Sequence, residues 1–301
     1  MATLAAKAGV SEATVSRALA NSPLIAEKTR LRIQRLAQKS GYSVNVAASS
    51  LRSRVTRTVS VAILLEHERR QTISDPFFLV LLGAIADALA ERDHSLLLSR
   101  VEFAAADWLL QAQRSNQADG LIVIGQSLHH AALNRAAGTR FPMVVWGAQL
   151  QDQKYVTVGT DNEQGGFLAT AHLADQGCRK IAFLGNTRLP EIAERHRGYR
   201  RALTERGLAK EPRLTLSVHF DGDAAYYEVA SLLTSKLEVD GIVASSDVIA
   251  MSALRALAER GLRVPQDVAV SGFDDVPLAS HTSPPLTTIR QPMRELGEAT
   301  V

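Results

Sequence analysis

The pattern of apolar and polar residues changes near Thr58. Before this residue, apolar positions recur at helical spacing among polar and basic residues. After it, short continuous apolar runs alternate with amphipathic stretches, which predict buried strands and helices respectively. The predicted strands span residues 58–65, 95–101, 119–124, 142–147, 180–185, 214–219, 239–244 and 268–273. The predicted helices among them lie near residues 77–92, 105–117, 163–177, 191–206, 224–236 and 247–261.

Buried strands that alternate with helices indicate parallel sheets covered by helices on both faces. Eight such units can close into a barrel or divide into two open sheets of four strands. Hydrophobic periodicity alone does not distinguish the two architectures. The sequence shows no repeat with a period of about 20–50 residues, so a solenoid is not indicated.

Residues 8–20, AGVSEATVSRALA, have the pattern of a helix-turn-helix. Gly9 permits the tight turn between two crossing helices, and Ser11 stands at an N-cap position. Val15 and Leu19 then mark the apolar face of the second helix. In such a motif the second helix enters the major groove of DNA, and residues of its first turns face base edges.

The segment that follows completes a small helical unit. A third helix is predicted over residues 26–40, with Ile33 and Leu36 on its apolar face and Gly41 at its C-terminal end. Residues 43–57 are small, polar and basic, and they predict a linker that can form one short helix.

Formal charge is distributed unevenly along the chain. Residues 1–57 contain ten lysines or arginines and two acidic residues, a charge of +8, whereas the remainder carries −5 of the total +3. A small basic head on a larger acidic body is the electrostatic layout of a polyanion-binding module joined to a regulatory or assembly domain.

The composition argues against several other classes of protein. One cysteine, Cys178, excludes an internal disulfide framework and is typical of a reducing cytoplasm. No apolar run approaches a membrane span and no signal-peptide pattern is present, so we expect a soluble cytoplasmic protein. Hydrolase, zinc-protease and P-loop motifs are absent, and the adjacent His129 and His130 fit a solvated helix start better than a metal site. The sequence predicts neither a metal nor another cofactor.

Several short motifs occur in a fixed order along the chain. They are AGVSEATVSRAL, Thr29-Arg30, Gly41-Tyr42, Asn45 with Ala47-Ala48 and Leu51, Ser74-Asp75-Pro76-Phe77-Phe78, Asp119-Gly120-Leu121-Ile122, Asp161-Asn162 with Gly165-Gly166, Arg195 with Gly198-Tyr199, Ser246-Asp247, Gly272-Phe273-Asp274-Asp275 and PPLTTIRQP at 284–292. Each motif is weak alone, but in this order they resemble the lactose/galactose repressor (LacI/GalR) family of bacterial transcription regulators over nearly the whole chain.

The resemblance implies an all-α helix-turn-helix headpiece followed by an α/β core of two parallel-sheet subdomains, of the periplasmic-binding-protein type, in a homodimer. It thereby favours two sheets over a barrel. The expected divisions are a headpiece at 1–44, a hinge at 45–57, an N-terminal core subdomain at 58–160 plus 289–301, and a C-terminal core subdomain at 161–288. Relative to the family pattern, we expect the chain to lack a few residues before Met1 and several elements after Val301.

The resemblance also places the candidate DNA contacts. Arg17 can form a bidentate pair with guanine, Glu12 can accept from cytosine, and Ala13 can touch a thymine methyl group. Leu51 is expected to enter a central base step from the minor groove together with its dimer mate. The candidate DNA-binding residues are Ser11, Glu12, Ala13, Thr14, Ser16, Arg17, Thr29, Tyr42, Asn45, Ala48 and Leu51.

A second candidate site lies between the two core subdomains. A neutral polyol requires planar donors, carboxylate acceptors and an aromatic face. Arg195 offers a fork of five donors, and Asp247 and Asp274 each follow a strand end, where open α/β sheets bind ligands. The candidate effector-binding residues are Phe77, Phe78, Trp146, Arg195, Asp247 and Asp274.

For two positions in this region, the sequence does not decide between contact with a ligand and a purely structural role. Trp146 follows an apolar strand, so it can stack on a ligand or fill the core. Asp161 and Asn162 can instead cap a helix.

These observations predict a sugar-responsive DNA-binding regulator, with repression as the expected mode. A dimer would place two headpieces in successive major grooves of a palindromic operator on the nucleoid, and a mono- or disaccharide effector would change operator affinity. A sugar-processing α/β enzyme and a sugar-binding transport protein are the alternatives. A transport protein would need a secretion signal and would not need the basic headpiece.

Overall fold

The computed structural model describes residues 1–42, 55–64, 72–101, 108–115, 117–126, 129–218, 222–235 and 238–301. The chain forms two compact units, Met1–Thr56 and Arg57–Val301. Asn45, Ala48 and Leu51, the predicted hinge contacts, lie outside the described residues.

The described residues of the first unit form three helices, α1 (Ala2–Ala8), α2 (Glu12–Leu19) and α3 (Glu27–Lys39). Gly9 ends α1 in the left-handed conformation at φ 65°, which a residue without a Cβ adopts at little cost. Ser11 caps α2 by accepting a hydrogen bond from the Thr14 backbone N–H at 3.2 Å. The predicted helix-turn-helix is therefore present, with Gly9 at its turn and Ser11 at the N-cap of its second helix.

Side chains of α3 hold the three helices together. The Arg32 guanidinium donates to the Ala8 carbonyl at 2.8 Å, and the Gln34 amide donates to the Ala18 carbonyl at 3.2 Å. Beneath these bonds lies a small core of buried residues, namely Leu4, Ala5, Ala8, Val15, Ala18, Ile33 and Ala37. This core fixes α2 with its outer face exposed.

The N-terminus of α3 lacks a side-chain cap, because Ala26 occupies the N-cap position. We expect Ala26→Ser to stabilise this unit by about 1 kcal/mol, since a serine hydroxyl can accept from an otherwise unpaired backbone N–H. Amide hydrogen exchange across α3 in the full chain measures the gain. Ala20→Ser makes the same chemical change at the C-terminal end of α2, where no such donor is available, and slower exchange in that variant as well would contradict the capping explanation.

The first core subdomain is a five-stranded parallel sheet, with strand order β2-β1-β3-β4-β5. The strands are β1 (Thr58–Leu64), β2 (Ser95–Val101), β3 (Gly120–Ile124), β4 (Met143–Trp146) and β5 (Val156–Val158). The helices between them are α4 (Pro76–Ala90), α5 (Trp108–Arg114) and α6 (His130–Ala137).

The second core subdomain repeats this arrangement with order β7-β6-β8-β9-β10, also parallel throughout. Its strands are β6 (Ile181–Leu184), β7 (Thr215–Leu216), β8 (Gly241–Ala244), β9 (Ala269–Asp274) and β10 (Thr287–Arg290). Its helices are α7 (Asn162–Asp175), α8 (Pro190–Glu205), α9 (Gly222–Thr234) and α10 (Asp247–Ala258), with short 3-10 turns at Pro212–Leu214 and Pro277–His281. The two-sheet architecture is confirmed and the barrel is wrong.

Two differences from the predicted elements have clear causes. Each sheet has a fifth strand that was not predicted. These edge strands, β5 and β10, were missed because they carry too few buried apolar residues to form a continuous run. The return to the first subdomain comes two residues later than 289, because Ile289 and Arg290 still pair with β9. The chain then enters α11 (Met293–Thr300), whose Met293 joins the core of the first subdomain.

Helices α7 and α8 cross at glycines that admit direct backbone contact. A Cβ at Gly198 would lie 1.9 Å from the Glu163 carbonyl oxygen, and one at Gly166 would lie 2.0 Å from the Arg195 carbonyl oxygen. The crossing therefore fixes the position of the backbone that carries Arg195.

In the described ranges no helix is both long and apolar enough to cross a bilayer. Across those same ranges, His, Cys, Asp and Glu side chains form no cluster of three or more with the arrangement of a metal site.

Candidate functional site

A cleft lies where the carboxyl ends of the two sheets meet. Leu64, Ile124 and Gly125 line it from the ends of β1 and β3, while Ser246 and Asp274 line it from the second sheet. The strand order reverses between β1 and β3 in the first sheet and between β6 and β8 in the second, and open α/β sheets bind ligands at such points. The cleft holds about 760 Å³ of space, part of it open to solvent.

One wall of the cleft is aromatic. Phe77 packs edge-to-face against Phe78, with ring centroids 5.5 Å apart, and against Trp146 at 6.2 Å. All three rings line the cleft. Trp146 is 5% exposed and belongs to the core of the first subdomain, so the two interpretations left open by the sequence are compatible.

Arg195 reaches the same cleft from α8 and is held by three contacts. Its Nε donates to the Asn162 side-chain oxygen at 2.8 Å, and its Nη1 donates to the Ser245 carbonyl. The guanidinium also stacks on the Phe273 ring, with its central carbon 3.6 Å from the ring centroid. Because these contacts fix a buried side chain, Arg195 presents its remaining N–H groups to the cleft in a constant orientation.

Asp274 ends β9 in a backbone conformation rare for a residue with a side chain, at φ 118°. Such strain costs about 1–3 kcal/mol and is common at ligand sites. The carboxyl accepts from the Gln291 amide at 2.7 Å and lies 3.9 Å from the Arg195 Nη1. Gln291 in turn accepts from the Thr160 hydroxyl at 2.9 Å. Asp274 is thus tied to both segments that connect the subdomains.

Burial alters the ionisation of the acidic groups in the cleft. It raises the pKa of Asp274 to about 8, although the nearby Arg195 charge opposes the shift. Burial also raises the pKa of Glu191 and of Asp75, and it lowers the pKa of Arg195. A carboxyl that remains protonated near neutral pH can donate as well as accept, which suits ligands rich in hydroxyl groups.

The predicted DNA-facing residues of α2 and α3 differ in exposure. Ser11, Glu12, Ala13 and Arg17 are exposed on α2. Thr14 shares a 2.9 Å hydrogen bond with the Ser11 hydroxyl. Thr14, Ser16 and Thr29 are half-buried. Tyr42 is also half-buried and packs against the core of the helical unit. The first turns of α2 therefore offer the freest side chains for contact with another molecule.

Comparison with known sequences finds a family match for each of the two parts of the chain. Residues 1–45 match the family described as bacterial regulatory proteins, lacI family, and residues 170–301 match the periplasmic binding protein-like domain. The ribose operon repressor of Haemophilus influenzae is 31% identical over 308 residues, which span 100% of this chain and 89% of that protein. This chain belongs to the LacI family of bacterial regulatory proteins.

Two further similarities agree with membership of the LacI family. The HTH-type transcriptional regulator CelR of Thermobifida fusca is 33% identical across 98% of this chain and 87% of its own length. A solved structure described as a transcriptional regulator CelR–cellobiose complex is 30% identical, covers 99% of this chain and 89% of that chain, and superposes with a TM-score of 0.72. This LacI-family member is a DNA-binding transcriptional regulator, so the enzyme and transport-protein alternatives are wrong.

The structure gives Asp247 a different place from the predicted one. Asp247 is fully buried, and its carboxylate accepts from the Val276 backbone N–H at 2.9 Å and from the Thr288 hydroxyl at 2.5 Å. It is not among the residues that line the cleft. The strand-end position suggested ligand contact, but in this regulator the side chain folds inward and holds the turn after β9.

Several residues line the cleft of this LacI-family protein but were not predicted as effector-binding residues. Asp75 caps α4 at its start, Glu191 lies in the first turn of α8, and Ser246 caps α10; all three line the cleft. Each of these acidic or hydroxyl side chains also fits a helix start, so its sequence position alone did not indicate a site. Asp161 caps α7, one of the alternatives that the sequence left open, whereas Asn162 accepts a hydrogen bond from Arg195.

Asp274→Asn is expected to change how the stability of this regulator depends on pH. The carboxyl titrates near 3.8 when unfolded and near 8 when folded, so between these values the folded protein holds one more proton. Stability therefore decreases as pH rises, by about 1.4 kcal/mol per pH unit from this residue. Asparagine can keep the Gln291 hydrogen bond but does not titrate.

Urea unfolding of both proteins at several pH values between about 5 and 8 tests this expectation. The free energy of unfolding of the variant should increase relative to that of the parent as pH rises. A constant difference would mean that Asp274 is ionised in the folded protein throughout this range.

Proposed function

We propose that this regulator binds a small carbohydrate in the cleft between its core subdomains and that this binding controls its affinity for a palindromic operator. The observation that carries the proposal is that Arg195, buried and held by three contacts beside Asp274, lines the same cleft as the aromatic wall of Phe77, Phe78 and Trp146. A fixed donor fork, a carboxyl and an aromatic face together match the hydroxyl groups and the C–H surface of a sugar.

The similar proteins support this effector class. One is named a ribose operon repressor, and the solved regulator structure contains cellobiose. A titration of operator binding with a panel of mono- and disaccharides, ribose and cellobiose included, tests the proposal. If none of them changes the operator affinity, the effector class is wrong, and sugar phosphates and purines are to be tested next.

The two segments that connect the subdomains can couple effector binding to DNA binding. A ligand that contacts both Asp274 and the aromatic wall binds one arrangement of the subdomains more tightly than another. This difference in affinity shifts the equilibrium between the two arrangements. Through Gln291 and Thr160, Asp274 contacts the segments about which such a rearrangement turns. Under this proposal, residues 45–57 act as the hinge between the headpiece and the core.

We also propose that the chain acts as a homodimer in the cytoplasm, on the nucleoid. Large apolar side chains stand exposed on the core, with Leu79 at 54%, Leu278 at 52% and Tyr227 at 68%. In the proposed dimer, a second subunit can cover apolar side chains of this kind. Sedimentation should give twice the 32.5 kDa mass of one chain.

For DNA, we propose that Arg17 reads a base and that Ser11, Thr14, Ser16 and Thr29 fix the register on phosphates. Arg17→Ala is expected to relax discrimination at one base pair of each half-site, with a loss of about 1–3 kcal/mol per contact. Affinities for operators that vary at each position measure this. Lys39→Ala removes an exposed charge from the end of α3 and should weaken binding equally on every operator. A uniform loss for Arg17→Ala as well would make Arg17 a phosphate contact.

A further inference from the structure

The second subdomain contains a second pocket, which shares no lining residue with the cleft. It holds about 560 Å³ of space, part of it open to solvent, and lies between α8 and the segment that leads into β7. The residues that line it are His196, Tyr199, Arg200, Lys210, Glu211, Pro212 and Thr215.

The pocket carries positive charge that the protein does not neutralise. Arg200 and Lys210 are exposed at its rim, and neither forms an ion pair within the described residues. The single acidic side chain of the pocket, Glu211, is bound by Arg213 at 2.9 Å, so its charge is already compensated. Most other surface arginines of this subdomain pair with a carboxylate, as Arg206 does with Asp175. Arg200 and Lys210 therefore remain available to an anion.

Two residues that line the pocket, His196 and Tyr199, are held by contacts with their neighbours. His196 stacks on Tyr199 with ring centroids 5.6 Å apart and an interplanar angle of 22°. Tyr199 is anchored by its hydroxyl, which donates to the Ile181 carbonyl at 2.8 Å. The His196 Nε2 lies 3.2 Å from the Thr215 hydroxyl. Burial and the Arg200 charge both lower the pKa of His196, which favours the neutral ring.

We propose that this pocket binds a phosphate group of a small molecule, held between Arg200 and Lys210 above the His196 ring. Two cations and a hydroxyl around a cavity of this size match the charge and the acceptor oxygens of a phosphate dianion. Arg200 lies on α8, the helix that carries Arg195 into the cleft. A phosphate ligand would therefore act on the helix that the cleft ligand also contacts, as a second effector at a separate site.

The test uses the full chain and inorganic phosphate, with glycerol phosphate as a phosphate monoester. Calorimetric titration should show saturable binding that Arg200→Gln/Lys210→Gln weakens at least about tenfold. Arg140→Gln removes an exposed charge of the first subdomain and should leave phosphate binding unchanged. Tighter binding of the ester than of inorganic phosphate would identify a phosphorylated metabolite as the ligand, and the reverse order would identify phosphate itself.

The His196 ring supplies a local readout, because the basic headpiece can also attract phosphate. The charged and titratable groups that face this ring are Arg200 and Tyr199 on α8, and Lys210 and Glu211 on the segment before β7. A bound dianion should raise the pKa of His196, measured by NMR, in the parent and not in the double variant. Phosphate binding that is unaffected by the double substitution, or an unchanged His196 titration at saturating phosphate, would overturn the proposal.

Discussion

Arg195→Ala is expected to remove the response of operator binding to sugar while the protein still binds operator. The guanidinium is the only cationic group among the described residues that line the cleft. Each charge-assisted hydrogen bond that it donates to a ligand contributes about 1.5–3 kcal/mol, so losing two raises the required sugar concentration at least about 100-fold. An operator titration with and without the sugar that acts on the parent protein measures this loss.

Arg195→Ala also leaves the Asn162 side chain and the Ser245 carbonyl without their donor, so some loss of stability accompanies the loss of response. The matched control is Arg201→Ala on the same helix, where the arginine pairs with Glu163 at the surface. That variant should respond to sugar as the parent does. A normal response from Arg195→Ala, at the same sugar concentration, would falsify the assignment of the cleft.

Gly198→Ala is expected to have the largest effect on stability. The added methyl group would lie 1.9 Å from the Glu163 carbonyl oxygen and 2.5 Å from the Phe167 backbone nitrogen. Both are backbone atoms of α7, so no side-chain rotation relieves the contact and the two helices must separate. Overpacking usually costs about 1–3 kcal/mol, and we expect this substitution to cost more than about 3 kcal/mol.

Thermal or urea unfolding of the core measures this cost, and Gly83→Ala on α4 serves as its control. A Cβ at Gly83 meets no atom within 4 Å, so alanine there should raise stability by about 0.5–1 kcal/mol through helix propensity. Because Gly166 of the same crossing contacts the Arg195 backbone, Gly198→Ala should weaken the sugar response too. Equal stabilities for the two glycine variants would show that α7 and α8 can shift apart freely.

The sequence predicted the buried strands better than the edges of the sheets. In β1, β3, β8 and β9 nearly every residue is buried, so a continuous apolar run marked each of them to within two residues. The edge strand β10, TTIR, is partly exposed and has no such run. Whether the strands form one barrel or two sheets depends on which strands pair across the fold, and hydrophobic periodicity does not contain that information. The resemblance to the family supplied it.

The same limit applies to the candidate site. The family motifs led to Arg195, Asp274 and the aromatic wall, and the structure brings these side chains to one cleft. The bond between Thr160 and Gln291, in contrast, joins residues 131 positions apart and exists only once the subdomains have formed. Asp247, in contrast, was predicted to contact the ligand because it is an acidic residue at a strand end. Its side chain instead turns inward, where it accepts hydrogen bonds from a backbone N–H and a hydroxyl.

The connection of the two subdomains has a consequence for the order in which the chain folds during synthesis. The described strands and helices of the second subdomain, from α7 to β10, come from one uninterrupted segment of the chain. Helix α11 packs on α4, and Met293 reaches the core of the first subdomain, only after that whole segment has left the ribosome. We therefore expect the second subdomain to become protease-resistant first on stalled nascent chains, although its residues are translated later than β1–β5.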